Sequence, residues 1–173
     1  MIGRFLFGRV SVFIDAANIL YSQKTLGWRV DYTKLVHYLR DQAEIVALRY
    51  YTGKVGTLEK QFSFIKKLET AGYVVIAKEV KFIKMAGGAV LPKGNLDVEL
   101  ALDAYRLMEE FDTLLLFSGD SDFSYLLDLL RQKGKKVIVA STRGHISKEL
   151  LTRAKYIDLR KLKEIIIKNQ KPG

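Results

Sequence analysis

The sequence predicts an α/β fold built on a central, mostly parallel sheet with helices covering both faces. Three observations carry this. Short apolar or β-branched runs alternate with segments whose apolar residues recur at helical spacing, and the connections between them are short. One run, Leu114-Leu-Leu-Phe117, is apolar enough for a strand buried on both faces, which in a sheet means covered by helices on each side.

Taken in order, residues 10–15 alternate and then turn apolar, giving a first strand that ends at Asp15. Asn18 opens a short helical or turn segment to residue 24. Asp31 is placed as N-cap of a helix through residue 42, with Leu35, Val36 and Leu39 on one face. Residues 45–51 are rich in aromatic and branched side chains and read as the second strand. Thr57 is placed as cap of a helix over 58–71 that carries Phe62, Ile65 and Leu68 at helical spacing and closes at Gly72. Strand material follows at 73–77 and 80–83. The glycine-bearing stretch between Lys84 and Asn95 is then expected as a mobile basic flap or an ordinary surface hairpin.

A helix is expected over 95–111. At 100° per residue Glu99, Asp103, Arg106 and Glu110 fall on one arc, taken as the solvated face, and Asp97 projects into the opposite, apolar arc. After the central strand come a helix over 123–133, a strand over 137–140, a short helix over 146–153, an edge strand over 156–159 and a closing basic helix over 160–168. One domain over 1–173 is expected, with its core at about 10–159 and a basic C-terminal helix and tail over 160–173.

Composition narrows the chemistry. The 173 residues hold no cysteine, which excludes a disulfide, a thiolate metal site and a cysteine nucleophile, and only two histidines, which argues against a histidine-based zinc site. A metal would be held by oxygen, pointing to magnesium or manganese. Arginines interrupt the first nine residues and no apolar stretch approaches the length of a membrane span, so a soluble, cytoplasmic protein with no membrane partner is expected. Lys plus Arg outnumber Asp plus Glu by 29 to 19, and the resulting charge of +10 favours a polyanionic partner.

The candidate site lies where strands end. Asp120 and Asp122 follow the central strand, and in open α/β sheets ligands bind outside the carboxyl ends of strands. Either acid alone is accounted for by capping the next helix. Asp15 ends the first strand, and Asn18 would orient it, meet a phosphate or simply favour a turn. Asp97 on a core-facing stripe needs a partner, which the free N–H groups of its own helix start would also supply. Lys81, Lys84, Lys93 and Arg143 are the candidate phosphate-holding cations, and Tyr21 and Trp28 the candidate stacking platforms.

Phe13-Ile-Asp-Ala-Ala-Asn18, Lys93-Gly-Asn-Leu-Asp-Val98 and Ser118-Gly-Asp-Ser-Asp-Phe123, in that order, give the chain a resemblance to the NYN domain family, a branch of the PIN-like nucleases, over about residues 10–159. The resemblance implies a PIN-like three-layer α/β/α fold and a Mg2+- or Mn2+-dependent ribonuclease site. It marks Asp15, Asp97, Asp120 and Asp122 as the catalytic and metal-ligating cluster, with Asn18 and Ser118 in support. Asn95-Leu96 lengthens the usual spacing between lysine, glycine and aspartate, which puts the reach of Lys93 in question. RNA, single-stranded or structured, is the implied partner. A non-catalytic RNA- or protein-binding module on the same fold and a homo-oligomer both stay open. An aspartyl-phosphate enzyme is disfavoured because Ala17 stands where a second aspartate would follow Asp15.

Overall fold

The computed structural model describes residues 2–54, 59–84 and 90–168, with the side chains of 83–93 outside that description. The elements run β1 (Arg9–Asp15), α1 (Ala16–Leu26), α2 (Tyr32–Arg40), β2 (Glu44–Lys54), α3 (Glu59–Thr70), β3 (Val74–Glu79), β4 (Lys81–Lys84), β5 (Val90–Lys93), α4 (Asp97–Arg106), β6 (Thr113–Phe117), α5 (Ser124–Gln132), β7 (Lys136–Ser141), α6 (Lys148–Arg153), β8 (Lys155–Asp158) and α7 (Lys163–Ile166). Six strands form one sheet in the order β3-β2-β1-β6-β7-β8, and every neighbouring pair is parallel. The expected α/β architecture is the observed one.

Side-chain alternation splits the core into two layers. Val12, Ile14, Leu115, Phe117 and Ile138 face one way and pack with Ile19, Leu35, Leu39 and Ile166 from α1, α2 and α7. Phe13, Leu114, Leu116 and Val139 face the other way and meet Leu100, Leu127, Leu130 and Leu150 from α4, α5 and α6. The period-2 pleat thus explains why the central strand reads as an unbroken apolar run. Truncating one fully buried leucine there, such as Leu115 or Leu116, removes about 2–5 kcal/mol of stability.

The chain runs outward from β1 through β2 to β3 on one side, then crosses to β6 and runs outward through β7 to β8 on the other. Strand order therefore reverses between β1 and β6, and the loops leaving their carboxyl ends diverge to open a crevice. This is where Asp15 and the segment 118–122 lie.

Several elements differ from expectation for identifiable reasons. The helix over 95–111 is shorter: α4 starts at Asp97 because the Asn95 side chain folds back on it, and a 3-10 turn, Met108–Glu110, replaces its end. The closing helix over 160–168 is a 3-10 turn, Leu159–Leu162, followed by the single turn of α7. Backbone bonds from Asp31 N to Ile166 O and from Lys168 N to Arg29 O, with a bridge between Val30 and Ile167, draw the chain out of helix at that point. Leu162 and Ile166 are buried in the core. The stretch after β3 is an antiparallel hairpin of β4 and β5, whose tip at 85–89 lies outside the described residues, as does Thr57. Asp31 caps α2 as expected, accepting from the N–H groups of Thr33 and Lys34.

Candidate active site

Asp15 ends β1 and N-caps α1: its Oδ1 accepts the Asn18 N–H at 3.2 Å. Its Oδ2 accepts the Ser118 hydroxyl at 2.9 Å, and the same Ser118 oxygen accepts the Asp120 N–H at 3.2 Å. The Asn18 side-chain oxygen accepts the Gly119 N–H at 2.9 Å, tying the start of α1 to the loop after β6. Asp120 in turn caps the 3-10 turn Ser121–Phe123 by accepting the Asp122 N–H at 3.0 Å. Capping, one of the two readings of these acids from sequence, is therefore real, and it leaves further lone pairs of the carboxylates free for a ligand.

Gly119 is required by close approach. A Cβ there would fall 1.8 Å from the His145 carbonyl oxygen, and the Gly119 carbonyl accepts the Ser147 N–H at 2.9 Å. The loop after β7 is thereby pressed against the loop after β6, fixing where Asp120 and Asp122 stand.

Asp97 reaches the crevice from the first turn of α4. Its carboxylate accepts the Asn95 side-chain amide at 2.5 Å, while its own N–H donates to Asn95 Oδ1 at 2.9 Å. Asn95, one of the two residues that lengthen the motif spacing, thus supplies a clamp, and Asp97 is held by it rather than by open N–H groups of its own helix.

Asp97, Asp120 and Asp122 each offer an oxygen within 4.8 Å of the others. Asp15 lies outside that trio but in the same crevice, close enough for Asp97 and Asp120 to act on it electrostatically. Burial, opposed by the Asn18 N–H and the Ser118 hydroxyl and reinforced by the neighbouring carboxylates, raises the Asp15 carboxyl to about 6. Burial also raises Asp97, with the Asn95 bond opposing and Asp120, Asp122 and Glu99 adding to the rise. Among the described residues no Lys or Arg pairs with any of the four acids. Within the trio Asp97, Asp120 and Asp122, at 4.8 Å and an effective dielectric near 20, a pair of ionised carboxylates repels by about 3 kcal/mol, less for the exposed Asp122. A hard divalent cation fits this all-oxygen donor set and would relieve both effects.

The acids open into a cavity of about 940 Å3 that runs along the carboxyl ends of β1 and β2. Among the described residues its cationic lining comes from Arg29, Lys60 and Lys168, which sequence reasoning missed. These residues come from three distant segments, and only the bond between Lys168 and Arg29 brings two of them together, so no local motif signals them. The residues picked from sequence sit elsewhere: Lys81 is exposed on β4, Arg143 is exposed in the turn after β7, and neither lines the cavity. The side chains of Lys84 and Lys93 lie outside the described residues. Trp28 is partly buried against the core, whereas Tyr21 is 64% exposed with His145 edge-on at 5.2 Å.

A parallel α/β sheet with converging carboxylates at its strand-order reversal defines the class: an open-sheet α/β protein with an acidic crevice suited to a cation. The NYN domain model matches residues 9–160, and the chain belongs to the NYN domain family, within the PIN-like nuclease superfamily. It is 34% identical over 169 residues to the low amplitude and bright protein LabA of Synechococcus elongatus, covering 95% of this chain and 90% of that one. It is 26% identical over 151 residues to an uncharacterized protein of Methanocaldococcus jannaschii, covering 86% of this chain but about half, 54%, of that relative. A crystal structure of a Vibrio parahaemolyticus protein of unknown function superposes with a TM-score of 0.78 at 24% identity, covering 93% of this chain and 96% of that one. Family membership supports a nuclease-like or RNA-related role. No helix among the described residues is long and apolar enough to cross a membrane.

Proposed function

We propose that this chain is a divalent-cation-dependent ribonuclease that hydrolyses RNA phosphodiester bonds in the crevice between β1 and β6. The observation that carries it is the convergence of Asp97, Asp120 and Asp122, from two separate segments, within 4.8 Å and without a basic partner among the described residues. These three would hold Mg2+ or Mn2+, with Asp15 as the fourth acid of the wall. When bound, such a cation supplies electrophilic polarisation of the scissile phosphate and acidifies an attacking water.

The chain's own residues do the rest. Ser118 positions Asp15 through its hydroxyl and Asp120 through the backbone N–H it accepts. Asn18 holds the loop after β6 against α1, and Asn95 fixes the Asp97 carboxylate. Asp122, the exposed member, meets bulk solvent and orients the incoming water. Arg29, Lys60 and Lys168 take phosphates flanking the scissile one as they enter the cavity. RNA is preferred to DNA on family grounds.

Cleavage of a labelled single-stranded RNA with Mn2+, Mg2+ or chelator, by wild type, Asp97→Asn and Asp120→Asn, tests the reading. Cutting that needs the metal and is lost in both variants is expected. Chelator-insensitive cutting, or variants as active as wild type, overturns it. RNA retention without cutting would move the function to a binding module.

A further inference from the structure

A second cavity, of about 400 Å3, opens at the opposite end of the strands, by the amino ends of β7 and β8. Among the described residues six cations line it, Arg4, Arg131, Lys135, Lys136, Arg153 and Lys155, and no carboxylate does. Lys136 and Lys155 are the first residues of β7 and β8, whereas the acidic crevice lies past the carboxyl ends of β1 and β6. The six residues of β7, at about 3.3 Å each, separate the two sites by roughly 20 Å.

Two of the six cations have a structural explanation. Arg131 and Arg153 lie in the last turns of α5 and α6, where the helix dipole favours positive charge, and both approach Asp128, at 3.7 and 2.7 Å. The other four do not. Arg4, Lys135, Lys136 and Lys155 have no carboxylate at ion-pair distance among the described residues. Lys135 acts on Asp112 electrostatically, but that carboxylate is already bound by Arg9 at 3.4 Å.

Aromatic rings hold these four cations instead. The Arg4 guanidinium and the Lys155 ammonium lie 4.7 and 4.6 Å from the Phe5 ring, the Lys136 ammonium 4.2 Å from Phe7, and the Lys135 ammonium 5.9 Å from Phe111. A ring positions a cation without cancelling its charge, as a carboxylate would. The result is a preorganised concentration of positive charge beside a concave surface, and like charges gathered this way favour a ligand that brings several negative charges together. Phe7 remains 59% exposed, leaving ring surface for an unpaired base.

We propose that this basic cavity anchors the phosphate backbone of single-stranded RNA at a second site, remote from the carboxylate crevice. The choice of RNA rests on the nuclease reading; the presence of an anion site does not. An RNA held at both ends of the sheet's strands is gripped far from the bond that is cut, so the cavity sets how long a substrate must be to bind tightly.

The test is fluorescence anisotropy of a labelled 15-nucleotide single-stranded RNA in chelator, over a salt series. It compares wild type with Lys136→Glu/Lys155→Glu and the gentler Lys136→Gln/Lys155→Gln, with folding checked by circular dichroism. Both lysines are exposed, so their variants should fold. Charge reversal is expected to weaken binding at least tenfold, and the Gln pair to lower the slope of log affinity against log salt by about 1.4, two contacts at about 0.7 each. Unchanged affinity and slope in both lysine pairs overturn the proposal. A trinucleotide, too short to reach both sites, separates this proposal from the nuclease reading. If lysine variants cut it as wild type does but also bind the long RNA normally, the anchor falls and the nuclease stands. If long-RNA binding weakens while no protein cuts either RNA, the anchor stands and the nuclease falls.

Discussion

Asp97 and Asp103 lie six residues apart on α4, and the structure treats them in opposite ways. Asp103 is locked into a network: Arg49 and Arg106 each reach it at 3.0 Å, and the Tyr51 hydroxyl donates to it at 3.0 Å. Its side chain is 20% exposed and that of Arg49 17%, so the expected solvated acid of the polar arc is instead half-buried against β2. Burial first, and then the Asp103 carboxylate, push the Tyr51 phenol far above its ordinary value, which keeps it a donor. Among the described residues Asp97 has no cation, only the Asn95 amide and two more carboxylates. One acid is satisfied by the fold, and the other is satisfied by what the fold binds.

That contrast can be broken first by activity. Asp97→Asn and Asp120→Asn are expected to lower cleavage by about a hundredfold or more, as loss of a group acting directly on the reacting phosphate does, whereas Asp103→Asn should stay within a few-fold of wild type per folded molecule. Steady-state cleavage of a labelled RNA checks all three.

The next largest effect is in the pH dependence of stability without metal. Asp15 binds its proton more tightly folded than unfolded, since burial raises its carboxyl to about 6. The folded state then holds more protons across the window from about pH 4 to 6, so this group's contribution is greatest below the window and is lost as pH rises through it. The loss is at most about 3 kcal/mol. Urea unfolding in chelator at pH 4, 5, 6 and 7 should show the decline, and Asp15→Asn should flatten it.

Smaller again is the cost of removing the satisfied acid. Asp103→Ala strands the partly buried Arg49 and should cost about 2 kcal/mol in urea unfolding, while Asp97→Ala in chelator should cost less or stabilise by relieving repulsion. The smallest effect belongs to the third acid of α4. Glu99 pairs with Lys78 at 2.6 Å on the surface, and Lys78→Ala should change stability by less than about 0.5 kcal/mol.

The acids Asp15, Asp97, Asp120 and Asp122 were legible in sequence because three lie at or just past strand ends and the fourth breaks an apolar helical stripe, patterns that local periodicity exposes. The parallel sheet was legible for the same reason. Asp103 was misread, since a helical wheel reports which arc a residue occupies and not whether a neighbouring strand brings an arginine to it. Arg29, Lys60 and Lys168 were invisible because their proximity depends on how the C-terminal segment closes beside α2. The second basic cavity was hidden similarly: the arginine-bearing N-terminus read only as evidence against a signal peptide, and its packing against β7 and β8 has no local signature.

The most direct measurement is isothermal titration of Mn2+ into wild type, Asp97→Asn, Asp120→Asn and Asp103→Asn. Binding by wild type and Asp103→Asn, with binding abolished or weakened at least tenfold in the other two, is the predicted result. No binding by wild type, or equal binding by all four proteins, would contradict the claim that these carboxylates converge to hold a cation.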